Sequence, residues 1–178
     1  MHAFRHLIIA SVVSLLFIVG CSNSGYDLLL AKTFDSKLKA RIEQFASGGI
    51  ENEWPIEFEK DALIEASKKY IGVKYRAGGT SGQGLDCSGL VYLSAREIGL
   101  KLPHHAEQMA RYGQIVPTKG RLRQGDLVFF KGEGTRLINH VGIMVNHKEF
   151  IHVSSSKGCV VTPINDAYWK SLFLFGTR

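Results

Sequence analysis

The sequence predicts an α+β domain in which helices come first and an antiparallel sheet follows. Up to about residue 112, apolar residues recur at helical spacing. From residue 127 onward, short apolar runs alternate with turn residues, which is typical of strands. The chain has 178 residues with 45% hydrophobic composition, which suits one compact domain with extensions. Helices followed by strands favour segregated layers over a βαβ arrangement.

The first 20 residues have the pattern of a lipoprotein signal peptide. Arg5 precedes an apolar run over residues 7–19, which is short of the roughly 20 residues that a membrane span needs. The run ends at Cys21 in a sequence that resembles a bacterial lipobox. We therefore expect lipidation of Cys21 and a lipid-anchored envelope protein. An ordinary signal peptide that happens to contain a cysteine is the alternative. Ser22 follows, and the resemblance implies outer-membrane sorting on the periplasmic face if the source is Gram-negative.

Residues 21–57 are expected to form a lipidated N-terminus, an amphipathic helix and a linker. The helix is predicted over residues 26–46 from one apolar stripe at spacings of four, four, four and three, formed by Leu30, Phe34, Leu38, Ile42 and Phe45. We favour packing of this stripe on the domain, and a helix lying along anionic lipid is the alternative. Ser47-Gly48-Gly49 ends the segment, and the main domain is predicted to span residues 58–178.

Three further helices and a set of strands are predicted within the main domain. The helices cover residues 61–70, the segment around residues 90–98 and residues 106–112. A glycine-rich loop over residues 78–84 leads into the second of them. Strands are expected at residues 127–130, 140–145, 150–153 and 159–162, and residues 172–176 close the domain.

The net charge is +6, and loss of Arg5 with the leader would leave +5. This mild basicity suits an anionic envelope polymer or a membrane surface. The basic residues are scattered, so we expect a solvated surface and no nucleic-acid partner.

Cys87 has the local sequence of a nucleophile. Asp86 is a good N-cap residue, and the apolar helical face begins only at Leu90, so Cys87 is expected in the first turn of a helix. The exposed N–H groups and the macrodipole of a helix N-terminus favour a thiolate. Ser88 and Gly89 are small and leave room for a substrate. A buried structural cysteine is the alternative.

A thiol nucleophile needs a base with a pKa near neutral, and histidine is the usual one. Among seven histidines, His140 begins a predicted strand and His152 lies within another. Strands of one sheet could point both side chains at one helix terminus, and the pairing would satisfy a buried imidazole. Histidines in strands are also often structural, so spacing alone leaves both interpretations open.

Five ordered segments resemble the NlpC/P60 family of bacterial cell-wall peptidases. These are residues 73–79, 85–91, 122–130, 139–143 and 150–155, and the resemblance extends over roughly residues 58–178. It implies a papain-like fold and a Cys-His-His triad, with Cys87 as nucleophile, His140 as base and His152 orienting His140. It also implies that Tyr75 helps to bind the oxyanion or substrate carbonyl, and that Asp86 and Ser88 line the cleft. No cofactor or metal is expected.

The resemblance implies hydrolysis of stem-peptide or cross-link amide bonds in peptidoglycan. The expected partners are peptidoglycan peptides and the membrane, and no envelope adaptor protein can be named. Two departures from the family pattern lie near the expected cleft rim, at Arg76-Ala77 and at Pro103-His104-His105. They bear on substrate preference and leave the triad intact.

Two other functions fit parts of the same pattern. One cysteine and two histidines could hold Zn²⁺ in a hydrolase, and a non-catalytic lipoprotein could bind peptidoglycan. Cys159 has no role in the resemblance. Because a bond between Cys159 and Cys87 would block the nucleophile, we predict that Cys159 is free and packed.

Overall fold

The structure is a computed structural model that describes residues 24–49, 54, 57–132 and 136–178. The predicted leader, Cys21 and most of the predicted linker lie outside the described residues. Within the described residues, no helix has the length and apolar character required to cross a bilayer.

The N-terminal region forms two helices, α1 (Ser24–Lys32) and α2 (Ser36–Ser47). The prediction of one helix over residues 26–46 is therefore wrong. The chain breaks at Asp35, whose carboxylate accepts hydrogen bonds from the N–H groups of Lys37 and Leu38 and so begins a new helix. Phe34 stands in the break and is 96% exposed, because it no longer belongs to a helical stripe.

The remaining stripe packs on the domain, as favoured from the sequence. Ile42 and Phe45 are buried in the main core, together with Leu29 of α1. The ring of Phe45 lies 6.2 Å from that of Phe175 in the last strand. Residues 24–47 therefore share a core with the region that follows residue 58.

Four more helices and eight strands follow in the described part of the chain. The helices are α3 (Lys60–Lys68), α4 (Cys87–Glu97), α5 (Ala106–Met109) and α6 (Ala167–Leu172), and a 3₁₀ turn covers Lys119–Arg121. The strands are β1 (Thr80–Ser81), β2 (Gly84–Leu85), β3 (Ile115–Val116), β4 (Leu127–Lys131), β5 (Ile138–Met144), β6 (Glu149–Ser154), β7 (Gly158–Pro163) and β8 (Phe173–Thr177).

Six of these strands form one antiparallel sheet in the order β3-β8-β4-β5-β6-β7, while β1 and β2 form a separate hairpin. This arrangement confirms the predicted α+β class. The hairpin, β3 and α6 were not predicted, because two-residue strands and a six-residue helix are too short to show periodicity.

Apolar side chains cover both faces of the sheet. Leu127 and Phe129 of β4 join the large core beneath the helices, while Val128 and Phe130 join a smaller cluster on the other face. Trp169 of α6 packs against this smaller cluster. The alternation in β6 places Phe150 and His152 on the same face of the sheet, so a histidine lies beside the aromatic cluster.

Candidate active site

Asp86 begins α4 and holds several groups of the site together. Its Oδ1 accepts hydrogen bonds from the N–H of Gly89 at 2.6 Å and the hydroxyl of Ser88 at 3.0 Å. Oδ1 also lies 3.0 Å from Nε2 of His104, and Oδ2 accepts from the N–H of Gly78 at 3.0 Å. Burial acts to raise the pKa of Asp86, but the hydrogen bonds from His104, Gly89 and Ser88 outweigh burial and hold this pKa below its ordinary value.

The glycine-rich loop lies directly against the first turn of α4. A Cβ atom on Gly89 would come within 2.0 Å of the Gly79 carbonyl oxygen, so only glycine permits this approach. Gly78 adopts a φ of +65°, which glycine reaches without strain. The N–H of Asp86 donates to the same Gly79 oxygen at 3.1 Å. The loop therefore fixes where α4, and with it Cys87, begins.

Cys87 is the first residue of α4 and is half-buried. Its Sγ lies 3.8 Å from the carbonyl oxygen of Asn139 in β5. The β4–β5 register slips at this point, from Phe130 opposite His140 to Lys131 opposite Ile138, and a bulge therefore exposes this stretch of backbone. The bulge was not predicted, because it depends on the register between β4 and β5, which the pattern within one strand does not reveal.

The thiol of Cys87 is held in its neutral form in the free protein. Burial raises its pKa to about 11, and the negative charge of Asp86 acts in the same direction. The backbone N–H groups of Val141, Ser88 and Cys87 itself lower the pKa, as expected at a helix entrance, but their effect is smaller. The sequence-based expectation of a stabilised thiolate is therefore only partly met.

His140 and His152 form a hydrogen-bonded chain with a threonine. Nε2 of His140 lies 3.0 Å from Nδ1 of His152, and Nε2 of His152 lies 3.0 Å from Oγ1 of Thr162 in β7. When Nε2–H of His152 donates to the Thr162 hydroxyl, Nδ1 of His152 is unprotonated and accepts from Nε2–H of His140. Nδ1 of His140 is then unprotonated as well and has a free lone pair. Since His140 bonds His152 through Nε2, Nδ1 is the nitrogen left to act as a base.

Both imidazoles are neutral near pH 7. The pKa of His140 is lowered to about 3, mainly by burial and also by the neighbouring His152, while Asp86 acts in the opposite direction. Burial lowers the pKa of His152 to about 4, with Lys157 lowering it and Asp166 raising it. Neutral imidazole is the form that can accept a thiol proton.

An aromatic cluster surrounds the two imidazoles. The ring of Trp169 stacks on that of His140, with centroids 4.5 Å apart and an angle of 28°, and meets His152 edge-on at 4.7 Å. Phe130 lies 5.8 Å from His140, and Phe150 stacks on His152 at 4.6 Å. Sequence reasoning missed both Trp169 and Thr162. The only signal for Thr162 was its place in the strand predicted after His152, and Trp169 had none.

The predicted site residues line one cleft of about 1090 Å³. Cys87, His140 and His152 lie along it, and Tyr75 is 44% exposed there, in a bridge that pairs it with Leu85. Asp86 and Ser88 also line the cleft, although the Ser88 side chain points its hydroxyl at Asp86. His104 also lines the cleft. It belongs to Pro103-His104-His105, the segment that departs from the family pattern and was expected near the cleft rim.

The described residues include no group of three or more His, Cys, Asp or Glu side chains that could hold a metal ion. His140 and His152 bond to each other instead, through Nε2 and Nδ1, and Sγ of Cys87 contacts the carbonyl oxygen of Asn139. This arrangement does not favour the zinc alternative. Cys159 is completely buried in the main core, which fits the predicted packing.

Comparisons with known proteins agree with the geometry. Residues 72–178 match the NlpC/P60 family. The chain is 36% identical over 115 residues to murein DD-endopeptidase MepS/murein LD-carboxypeptidase of Escherichia coli K12, covering 64% of this chain and 60% of that protein. It is 41% identical over 113 residues to the probable endopeptidase NlpC of the same strain, covering 62% and 72%.

Among solved structures, an NlpC/P60 family protein from Bacillus cereus ATCC 10987 superposes with a TM-score of 0.61 and 28% identity. The match covers 71% of this chain and 42% of that one. This similarity supports the predicted papain-like NlpC/P60 fold.

Proposed function

The chain belongs to the NlpC/P60 family, and from that premise we propose that it is a cysteine peptidase that hydrolyses amide bonds in peptidoglycan. The observation that carries the proposal is the series His140, His152 and Thr162, joined by two contacts of 3.0 Å, in the cleft that holds Cys87 at the start of α4. The names of two relatives, murein DD-endopeptidase and probable endopeptidase, support the substrate class.

The proposed reaction starts from neutral thiol and neutral imidazole. As Sγ of Cys87 attacks the substrate carbonyl, Nδ1 of His140 takes the thiol proton, and the charge on His140 is stabilised by His152. The oxyanion that forms lies near the N-terminus of α4, where the N–H of Cys87 can donate to it, and Tyr75 lines the same cleft.

The imidazolium of His140 then gives its proton to the leaving amine, and the C–N bond breaks to leave a thioester on Cys87. Water attacks the thioester with His140 again acting as base, which releases the acid product and restores the thiol. The bond cleaved is proposed to involve D-Glu or D-Ala next to a diaminopimelate-type residue.

Digestion of purified sacculi by a form spanning residues 22–178 tests the proposal, with mass spectrometry of the released muropeptides. Cys87→Ala is the test variant, and Cys159→Ala is the matched control because Cys159 is buried away from the cleft lining. We expect release by wild type and Cys159→Ala only. Equal release by Cys87→Ala would show that the cysteine is not the nucleophile.

The chain spans 60% of the length of the MepS relative. Because the similarity covers only part of that protein, the activity of this chain is decided by the digestion experiment. A peptidoglycan-binding lipoprotein without activity is the second candidate. It would bind sacculi in a pull-down without releasing muropeptides, and Cys87→Ala would bind equally well.

We also propose a lipid anchor at Cys21 that places the domain on the periplasmic face of the outer membrane if the source is Gram-negative. The support is the apolar run over residues 7–19 that ends at Cys21, and Ser22 after it. Metabolic labelling with radioactive palmitate should mark the wild type and not Cys21→Ala. Label retained by Cys21→Ala would contradict the proposal, and sucrose-gradient fractionation would assign the membrane.

A further inference from the structure

Trp169 is the ring that contacts both imidazoles of the site within the described residues. It lies 4.5 Å from His140 at an angle of 28° and 4.7 Å from His152 at 73°. It also meets Phe130 at 4.9 Å and 62° and Phe150 at 5.7 Å and 83°. One side chain therefore covers the face of the proposed base and the edge of its partner.

The fold holds Trp169 in this place through a capped turn. Oδ1 of Asp166 accepts hydrogen bonds from the N–H groups of Tyr168 at 3.0 Å and Trp169 at 3.4 Å, which fixes the first turn of α6. Leu172 and Phe173 at the end of α6 pack in the same cluster as Trp169. The indole is therefore held through its backbone and by the rings of Phe130 and Phe150.

This contact has two opposing electrostatic effects on His140. An indole face attracts a cation, which would favour imidazolium. The same ring displaces water, and loss of hydration disfavours the cation. Burial is the largest influence on the pKa of His140 and lowers it, and the indole of Trp169 covers one face of that ring, so we take the displacement of water as its main effect.

Other charged groups face the imidazole pair from neighbouring elements. Asp86, at the start of α4, acts on His140, and Cys87 lines the same cleft. Lys157, between β6 and β7, and Asp166, at the start of α6, act on His152 in opposite directions. The stacked contact on the His140 ring is made by Trp169.

We propose that Trp169 is a positioning residue for the His140–His152 pair. It fixes the plane of the His140 ring so that Nε2 meets His152 while Nδ1 serves Cys87, and it keeps water from the back of the pair. This role rests on the proposed peptidase function, but its effect on the two histidines is independent of any substrate.

The experiment compares Trp169→Leu, which is apolar but cannot stack, with Trp169→Phe, which retains a ring. Trp54→Phe is the matched control, because the chain has two tryptophans and Trp54 packs on Phe58, outside the cleft lining. The readouts are the NMR titrations of the His140 and His152 ring protons and the pH profile of kcat/KM on muropeptides.

For Trp169→Leu, we expect both histidines to titrate at higher pH and the acid limb of the profile to move with them. We expect kcat to fall on the order of tenfold with KM little changed, since misoriented catalytic groups lose rate rather than binding. Trp169→Phe should lie between wild type and Trp169→Leu, and Trp54→Phe should match wild type.

Wild-type histidine titrations in Trp169→Leu would overturn the proposal and leave Trp169 as a packing residue only. If Trp169→Leu does not fold, Trp169→Phe decides, and a titration unchanged from wild type would overturn it equally. Should the wild type release no muropeptides, the proposed peptidase function fails while the titrations still decide the role of Trp169.

Discussion

The carboxylate of Asp86 lies 3.0 Å from Nε2 of His104 while it caps the helix that begins at Cys87. Two segments, the loop before α5 and the start of α4, are thereby joined next to Cys87. The contact occurs at the position where the sequence departs from the family pattern, at Pro103-His104-His105. Asp86 therefore has a structural and an electrostatic role at once.

Asp86→Ala should lower both stability and activity. Loss of an N-cap costs about 0.5–2 kcal/mol of unfolding free energy, and the first turn that carries Cys87 should loosen. Urea denaturation and kcat/KM on muropeptides measure the two effects. Asp35→Ala is the matched control, because Asp35 caps α2 in the same way and is not among the residues that line the cleft. A loss of activity in Asp35→Ala as large as in Asp86→Ala would show that general destabilisation is responsible.

Thr162→Val should reduce kcat with little change in KM. Valine has nearly the same shape but cannot form a hydrogen bond with Nε2 of His152. The tautomer in which Nε2 donates to Thr162, and which frees Nδ1 of His140, therefore loses its support. Leaving a buried donor unpaired should also cost about 1–3 kcal/mol of stability. Thr162→Ser retains the hydroxyl and should recover most of the rate. If Thr162→Val is as active as Thr162→Ser, the hydroxyl has no part in orienting the pair.

Alkylation of Cys87 in the free protein should accelerate with pH up to the alkaline range. Burial raises the pKa of this thiol to about 11, so the thiolate fraction at neutral pH is small and grows as pH rises. Iodoacetamide kinetics from pH 5 to pH 10 on the Cys159→Ala background measure this, with Cys87→Ala as the blank. A rate plateau between pH 5 and pH 8 would indicate a preformed thiolate–imidazolium pair and contradict the prediction.

Stability should fall as pH decreases below 6.5. The folded-state pKa values of His140 and His152 are lowered to about 3 and about 4 from 6.5, so the unfolded state binds more protons between these values and 6.5. Each histidine then contributes up to about 1.4 kcal/mol per pH unit to the slope of unfolding free energy in that window.

Urea denaturation at several pH values from 4.5 to 7.5 measures the slope. His152→Gln should flatten it, whereas His147→Gln, which alters an exposed loop histidine, should not. The lowered pKa of Asp86 affects stability only at more acidic pH. The stabilisation that it contributes is lost as pH falls below the ordinary Asp value of 3.8. Equal slopes in His152→Gln and wild type would contradict the assignment.

Several parts of this site could be predicted from the sequence, because they depend on neighbours in the chain. Asp86 as a helix cap, Cys87 in the first turn and the glycine loop before them are all local features. Strand alternation likewise placed His152 within a strand and His140 near the start of another. The helix break at Asp35 also depends on neighbouring residues, since Asp35 caps α2. It was not predicted because the apolar stripe continues across it.

What only the tertiary structure decided is the environment of these groups. The bulge at Asn139, the Thr162 hydroxyl behind His152, the indole of Trp169 over His140 and the contact of His104 with Asp86 all depend on contacts between separate elements of the fold. Burial is also a property of the assembled fold, and it outweighs the helix-terminus effect on Cys87. Neighbouring residues in the chain thus determine the local geometry of the site, such as the helix that begins at Cys87. The protonation states and orientations of the Cys87, His140 and His152 side chains are determined by packing between elements.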